Sequence, residues 1–297
     1  MRILITGGTG FIGSALTREL REEGHAVIIT TRHKSDSENK ITWNPPDLIP
    51  ADIISTIDAV INLAGEPIAP EKWTEERKER IMSSRVETTR ALVASMKNAG
   101  SRPKVLISAS AIGYYGAHGD EVINEVSPPA SDFLAGVCKA WEAEALKAEE
   151  VGMRVVLVRI GGVLEKDGGV LKHMSAQFNF MMGGPVGDGE QWFSWIHRDD
   201  IVGIFKFALQ NDSVSGPVNG TAPNPVTNLA FSTALGKAMK RPSYVSVPAF
   251  VIKMALGELA DILITGQRVV PEKALKAGYQ FKHTEIKDAL KTIFEKR

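Results

Sequence analysis

Arg2-Ile3-Leu4-Ile5-Thr6-Gly7-Gly8-Thr9-Gly10-Phe11-Ile12-Gly13 opens the chain, and its reading decides the fold. The apolar run predicts a short buried strand over residues 2–6. The glycine-rich turn ends that strand, and a helix is expected from near Phe11 to about Glu23, with Gly24 as its C-terminal cap. Each glycine has a task if a pyrophosphate sits on this turn. Gly7 permits the tight strand-to-helix turn, Gly10 lets backbone approach phosphate, and Gly13 allows the helix to pack closely on the sheet. The phosphate would rest on unpaired amides at a helix N-terminus, where the helix dipole also favours an anion. A second β-branched strand, Ala26 to Thr31, follows at the right distance, so the turn predicts dinucleotide binding rather than a merely structural bend. A Gly-Lys-Ser/Thr phosphate loop is absent, which disfavours an ATPase of that type.

The end of the second strand indicates which dinucleotide. NAD enzymes usually offer an acid here to hold the ribose 2′-hydroxyl. This chain reads Thr30-Thr31-Arg32-His33-Lys34, with no acid before Asp36. A guanidinium binds a 2′-phosphate through paired hydrogen bonds, whereas a carboxylate repels it, so Arg32 points to NADP. A solvated basic loop is the alternative.

Downstream, Ala59 to Ala64 and Val105 to Ser108 read as further buried strands, with a long helix from about Glu75 to Ala99 between them. A helix over Phe133–Val151 leads to the strand Val155–Val158. Short apolar strands alternating with helices predict an α/β fold: a Rossmann-type, doubly wound parallel sheet with helices on both faces. After Arg159 the texture changes to glycine and proline clusters, with helices expected over Leu229–Met239, Ala249–Ile264 and Glu285–Phe294. The expected division is an NADP-binding domain over 1–160, with 195–220 returning to it, and a smaller C-terminal substrate domain over 161–297.

Composition narrows the function classes. Thirty-five Lys and Arg balance 35 Asp and Glu, so the excess positive charge with which proteins usually meet duplex nucleic acid is missing. Cys138 is the only cysteine, which removes intramolecular disulfides and cysteine-based zinc sites. The six histidines are scattered without paired ligand spacing, so no metal site is expected. No apolar run approaches the roughly 20 residues a membrane helix needs, and the N-terminus lacks a signal-peptide layout. A cytoplasmic protein with a small-molecule substrate, and with neither nucleic-acid nor membrane partners, is expected. Homo-oligomerisation stays open.

The quoted turn, together with Asn62-Leu63-Ala64-Gly65, Ser108-Ala109-Ser110 and Trp195-Ile196-His197-Arg198-Asp199-Asp200-Ile201, resembles the extended short-chain dehydrogenase/reductase superfamily, the NAD(P)-dependent epimerase/dehydratase family. More narrowly, Asn62-Leu63-Ala64-Gly65-Glu66-Pro67-Ile68, Gly113-Tyr114-Tyr115-Gly116, Gln191-Trp192-Phe193-Ser194-Trp195 and the stretch from Gly220 to Asn228 resemble an atypical epimerase-like subfamily. The resemblance covers essentially the full length. It implies an NADP-dependent oxidoreductase or epimerase-like enzyme acting on a small polar substrate, with nucleotide sugars as the substrate class. The cofactor-binding set implied is Gly7, Thr9, Gly10, Phe11, Ile12, Gly13, Thr31, Arg32, Leu63, Ala64, Gly65 and Arg85.

The family's usual chemistry needs a Tyr and, four residues later, a Lys on one helix turn, so that the ammonium lowers the phenol's pKa. Here that helix reads Phe133-Leu134-Ala135-Gly136-Val137-Cys138-Lys139-Ala140-Trp141-Glu142. The register suggested by Glu142 pairs Leu134 with Cys138, and counting back from Lys139 gives Ala135, so the pair is missing in either register. Ser110 resembles the family's serine. Tyr114 and Tyr115 are candidates for a displaced acid or base, or else pack their loop; Glu66 is another acid/base candidate or a loop carboxylate. Cys138 falls on the apolar stripe with Leu134, Trp141 and Ala145, which predicts core. Arg85 lies on an apolar stripe with Ile81, Leu92 and Met96, and needs a buried partner: a cofactor phosphate or ribose, or a core carboxylate. His197, Asp199 and Asp200 are expected to cap a helix and mark a hinge. Trp192, Phe193 and Trp195 floor a pocket or belong to the core, and Lys172, Arg241 and Arg268 are basic candidates for a substrate diphosphate. Without the Tyr/Lys pair, the alternative function is a non-catalytic NADP-binding sensor or regulatory protein.

Overall fold

The computed structural model describes residues 1–35, 37–69 and 71–295. Its first half runs β1 (Arg2–Thr6), α1 (Phe11–Glu22), β2 (Ala26–Thr31), β3 (Lys40–Thr42), α2 (Ala51–Ile54), β4 (Ala59–Asn62), α3 (Glu75–Lys97), β5 (Val105–Ala111), β6 (His118–Ile123), α4 (Phe133–Leu146) and β7 (Arg154–Ile160). The second half runs β8 (Gly162–Glu165), α5 (Gly169–Asn179), β9 (Trp192–Phe193), β10 (Trp195–His197), α6 (Arg198–Gln210), β11 (Gly216–Gly220), β12 (Val226–Thr227), α7 (Asn228–Met239), α8 (Ala249–Leu256), α9 (Asp261–Ile264), β13 (Gln267–Val269), α10 (Glu272–Lys276) and α11 (Ile286–Glu295).

Seven strands form one parallel sheet in the order β11-β7-β5-β4-β1-β2-β3. From β1 the chain builds outward on one side through β2 and β3, then returns to build the other side from β4. This reversal opens a crevice beyond the carboxyl ends of β1 and β4, where doubly wound sheets bind ligands. The strands are apolar on both faces, as a sheet covered on two sides requires. Ile3 and Ile5 face α1 and α6 in a core with Leu16, Leu20, Ile201 and Phe205, while Leu4 joins Val60, Leu106, Leu92 and Met96 under α3. Full burial of each such side chain contributes about 1.5–3 kcal/mol.

Strand β11, late in the chain, pairs with β7 at the sheet edge, and Lys206 of α6 bridges back to Glu19 of α1. The later segments share a separate core containing Phe178, Trp195, Phe231, Leu235 and Leu290. They are tied to the sheet by buried carboxylates. Asp200 accepts the backbone N–H groups of Lys282 and His283 (2.7 and 2.9 Å), and Glu125 accepts those of Asn219 and Lys273.

Three elements differ from the sequence expectation. The helix expected to reach Val151 ends at Leu146, and a 3₁₀ turn over Glu149–Val151 finishes the approach to β7. The helix expected over Ala249–Ile264 divides at Gly257, whose φ of +62° leaves the helical region. Strand β5 extends three residues beyond Ser108, which places Ser110 inside the sheet.

Candidate functional site

The opening turn is built as a cradle. Gly7 has φ +68°, and a Cβ there would lie 2.6 Å from the Leu63 carbonyl oxygen; a Cβ on Gly13 would lie 2.2 Å from the oxygen of Gly7. Both positions therefore exclude every other residue without backbone movement. Gly10 is the N-cap of α1 and offers no side-chain hydrogen bond, and the first turn carries no acid. The amides of Phe11, Ile12 and Gly13 lie in that first turn, where a helix has no acceptors of its own. Amides left open at a helix N-terminus and a crevice at the switch point fit a dinucleotide's pyrophosphate. Thr9 stands at the exposed crest of the turn. The Phe11 ring is covered by Gly168 and Gly169 and faced by the Arg198 guanidinium at 5.3 Å, so the second half of the chain walls this end of the crevice.

At the end of β2, Thr31 is half-buried and Arg32 projects into solvent, with His33 and Lys34 beside it. Asp36 lies outside the described residues. At the end of β4, Asn62 is a buried hub. Its carboxamide accepts from Thr6 Oγ1 (2.6 Å) and donates to Thr89 Oγ1 (2.8 Å) and Ser108 Oγ (3.2 Å), locking β1, β4, α3 and β5 at the crevice floor. Leu63, Ala64 and Gly65 leave this hub along the crevice edge.

Of the two partners expected for Arg85, a cofactor group or a core carboxylate, the structure supplies no carboxylate hydrogen bond among the described residues. Arg85 donates to the carbonyl oxygens of Ile81 (2.9 Å) and Glu66 (2.8 Å), and its guanidinium lies against Gly65 and 5.4 Å from the Trp141 ring. The Glu66 carboxylate is engaged instead by Arg77 and Arg80. Glu66 is therefore held in a loop ion-pair cluster.

The charged centre of the molecule lies deeper. Arg159 is 3% exposed and Glu142 6%, and two nitrogens of the guanidinium donate to the two carboxylate oxygens at 2.8 Å each. Ser110 Oγ donates to the same carboxylate at 2.6 Å. A further guanidinium nitrogen donates to the Tyr115 hydroxyl (2.9 Å), which donates in turn to Asn219 Oδ1 (2.7 Å). Burial alone would lower the Arg159 pKa, but Glu142 outweighs it and holds the guanidinium above its ordinary value. Burial pushes the Tyr115 phenol up to about 12, against the pull of Arg159. Ser110 and Tyr115 are thus committed to a sealed network. Tyr114 differs: it is half-buried, meets Tyr115 edge-on, and lies with its ring centroid 3.5 Å from the Arg159 guanidinium carbon. Sequence reasoning placed Ser110 and the tyrosines but missed Arg159, Asn219 and the partnership of Glu142. The available signal was an arginine inside the apolar run Val155-Val156-Leu157-Val158-Arg159-Ile160.

On α4, Leu134 packs against Gly113, and Cys138 is buried with its thiol directed at the Ala111 carbonyl (3.6 Å). Burial pushes that thiol up to about 11, so it rests as a neutral core group. His197 caps α6, its Nδ1 accepting the Asp199 N–H at 3.0 Å. The histidines are less scattered than their sequence positions imply: the rings of His197 and His283 stack at 3.9 Å, and Asp199 lies near both. Stacked rings direct their in-plane lone pairs past one another, which suits packing rather than shared ligation. Trp195 is core, Phe193 packs on Phe231, and Trp192 stacks under Arg268 while donating to Asp120. Lys172 and Arg241 are exposed. Among the described residues no helix is long and apolar enough to cross a membrane.

Comparison with known proteins agrees with this architecture. Residues 3–220 match the NAD dependent epimerase/dehydratase family, and residues 247–293 match a domain of unknown function, DUF1731. An Arabidopsis thaliana protein, the chloroplastic epimerase family protein SDR39U1 homolog, is 44% identical over 304 residues, spanning 99% of this chain and 87% of its own length. The epimerase family protein YfhF of Bacillus subtilis is 37% identical over 302 residues, spanning 100% of this chain and 99% of its own. Among solved structures, human epimerase family protein SDR39U1 (isoform 2), crystallised with NADPH, superposes with a TM-score of 0.91 at 36% identity over the whole of both chains. With a glycine cradle at its first βα turn and a match over most of its length, the chain belongs to the NAD dependent epimerase/dehydratase family.

Proposed function

We propose that this protein is an NADP(H)-binding oxidoreductase or epimerase-like enzyme acting on a small polar substrate. The observation that carries the proposal is the cradle at the α1 N-terminus, where Gly7 and Gly13 leave no room for a side chain and Gly10 leaves the first amides open. The human relative crystallised with NADPH supports the same cofactor. When bound, the dinucleotide supplies hydride transfer. The chain's own residues bind and orient it. The Phe11, Ile12 and Gly13 amides hold the pyrophosphate, Arg32 meets the 2′-phosphate, Thr9 and Thr31 line the ribose approach, and Leu63, Ala64 and Gly65 form the crevice edge towards β5. Tyr114 is the proton-handling candidate, because the Ser110 and Tyr115 hydroxyls are already spent on Glu142 and Asn219. We assign 1–160 and the returning 195–220 segment to cofactor binding and the rest of 161–297 to the substrate. The single buried cysteine suits a reducing compartment such as the cytoplasm.

A second reading, a non-catalytic NADP-binding regulator, is favoured by one observation: α4 supplies neither Leu134/Cys138 nor Ala135/Lys139 as a tyrosine–lysine pair. Titration with NADPH and NADH tests the shared premise. Arg32→Asp is expected to weaken NADPH about tenfold or more, the worth of a charged hydrogen bond, and to leave NADH nearly unchanged; equal losses would remove the 2′-phosphate assignment. Incubation with labelled NADPH and a panel of carbonyl compounds and sugar nucleotides then separates the two readings. Intact binding with no label transferred would select the regulator.

A further inference from the structure

We propose that Arg85 is the fixed positive charge on the nicotinamide side of the crevice, supplying from α3 the charge that α4 does not, since its Lys139 is exposed. The inference rests on the NADP(H) reading above. The pyrophosphate cradle and Arg32 direct the adenosine half towards β2, so the other half of the dinucleotide extends past β4 towards β5 and the start of α4. Arg85 stands on that side. Its guanidinium lies against Gly65, close enough that a Cβ there would meet Cζ at 3.2 Å.

Three observations make it more than a strut. First, no carboxylate among the described residues hydrogen-bonds Arg85: its acceptors are the neutral oxygens of Ile81, Ser84 and Glu66, and the nearby Glu66 carboxylate is itself paired with Arg77 and Arg80. Burial lowers its pKa, yet a guanidinium stays protonated at neutral pH. A charge held in that state without an anion is costly unless its position is used. Second, the side chain faces α4, across from Trp141 at 5.4 Å; that indole is 6% exposed, and its N–H, fully buried, has no acceptor among the described residues. A cation and an unspent donor therefore lie side by side, the combination expected where an oxygen-rich group is to be received. Third, the buried Cys138 lies one turn before Trp141 on the same helix, so the Arg85 guanidinium faces the α4 turn that carries the thiol. The cation thus comes from a neighbouring helix to the face of α4 on which the Glu142 register would set the family's lysine.

The charge has a measurable consequence apart from turnover. The oxidised nicotinamide ring is positive and the reduced ring neutral, so a fixed cation nearby disfavours NADP⁺ relative to NADPH. The experiment measures dissociation constants for both forms with wild type, Arg85→Gln and Arg85→Lys, after checking by thermal melting that each is folded. Gln keeps a donor for the Glu66 carbonyl but no charge; Lys keeps the charge. Arg85→Gln is expected to favour NADP⁺ over NADPH by about tenfold relative to wild type, the order one charge exerts on another across a partly buried site. Arg85→Lys is expected to keep the wild-type ratio. If Gln weakens both forms equally or changes neither, or if Lys behaves like Gln, the proposal is overturned while NADP(H) binding stands. If wild type binds neither form, the functional reading fails with it.

Discussion

Replacing Glu142 with methionine removes both carboxylate acceptors from Arg159 and the acceptor of Ser110 in one step, while roughly preserving volume. The cost follows from burial. Both charged groups are less than a tenth exposed, and the pair is bidentate at 2.8 Å. An exposed pair of this kind is worth about 0–1 kcal/mol, but stripping one partner from a buried pair leaves an uncompensated charge and costs about 3–5 kcal/mol. Glu142→Met is therefore expected to lower the melting temperature by roughly 10 °C in a chain of this size. The double variant Glu142→Met/Arg159→Met carries the diagnostic weight. Removing both charges abolishes the desolvation problem, so the double variant should recover more than half of the single variant's loss, limited by the donor that Tyr115 then lacks. Urea unfolding followed by tryptophan fluorescence supplies the free energies, with Trp141 on the same helix as a reporter. A single variant within about 1 kcal/mol of wild type, or a double variant whose loss equals the sum of the two singles, would refute the account of Glu142–Arg159 as a buried, mutually dependent pair.

Cys138, pushed up to about 11 by burial, should resist thiol reagents at pH 8 in the native state and label only as the protein unfolds in urea, measurable by mass; rapid stoichiometric labelling of native protein would contradict its core placement. Glu144 is the acid-sensitive group of the α3–α4 contact. Burial alone would raise its pKa, but hydrogen bonds from Arg90 and Lys147 bring it below the usual 4.5. Its contribution is thus present above the unfolded-state pKa and lost as pH falls through the folded one. Glu144→Gln should cost about 1 kcal/mol or less at pH 7, since Arg90 is solvent-exposed, and the gap to wild type should close as pH falls through the lowered folded-state pKa; an unchanged gap would contradict this.

The sheet was legible in the sequence because its signals are local. The glycine turn follows a strand and opens a helix, each main strand is an apolar run with its own boundary, and α1, β2, β4 and β5 stand where the alternation puts them. The short strands β6 and β13 pair with each other across most of the second half of the chain: Gln267 of β13 aligns with His118 of β6. No periodicity marks a three-residue strand whose register is set by a neighbour 149 positions away. Gly257 shows a different limit. It stood in plain view within an apolar run, but only its left-handed φ distinguishes a tolerated helix glycine from one that ends the helix.

The candidate site was legible where backbone does the binding and obscure where side chains cooperate. Gly7, Gly10 and Gly13 constrain their own turn, so their spacing carries meaning. Tyr114 and Tyr115 are adjacent and chemically identical, yet one hydroxyl is sealed between Arg159 and Asn219 while the other tyrosine keeps a half-exposed face on the same guanidinium. The difference is made by Arg159, 44 residues beyond Tyr115. Likewise Ser110, read alone, is a free hydroxyl at a strand end; Glu142, 32 residues later, consumes it. The pattern has a physical logic. A helix without its tyrosine and lysine no longer needs a polar face towards the crevice, so Leu134 and Cys138 close it with apolar packing. The positive charge then enters from elements on either side, Arg159 from β7 beneath the tyrosines and Arg85 from α3 beneath Gly65. Arg159 is held bidentately by Glu142, whereas the hydrogen-bond acceptors of Arg85 among the described residues are all neutral, and on that asymmetry the proposal for Arg85 rather than Arg159 rests.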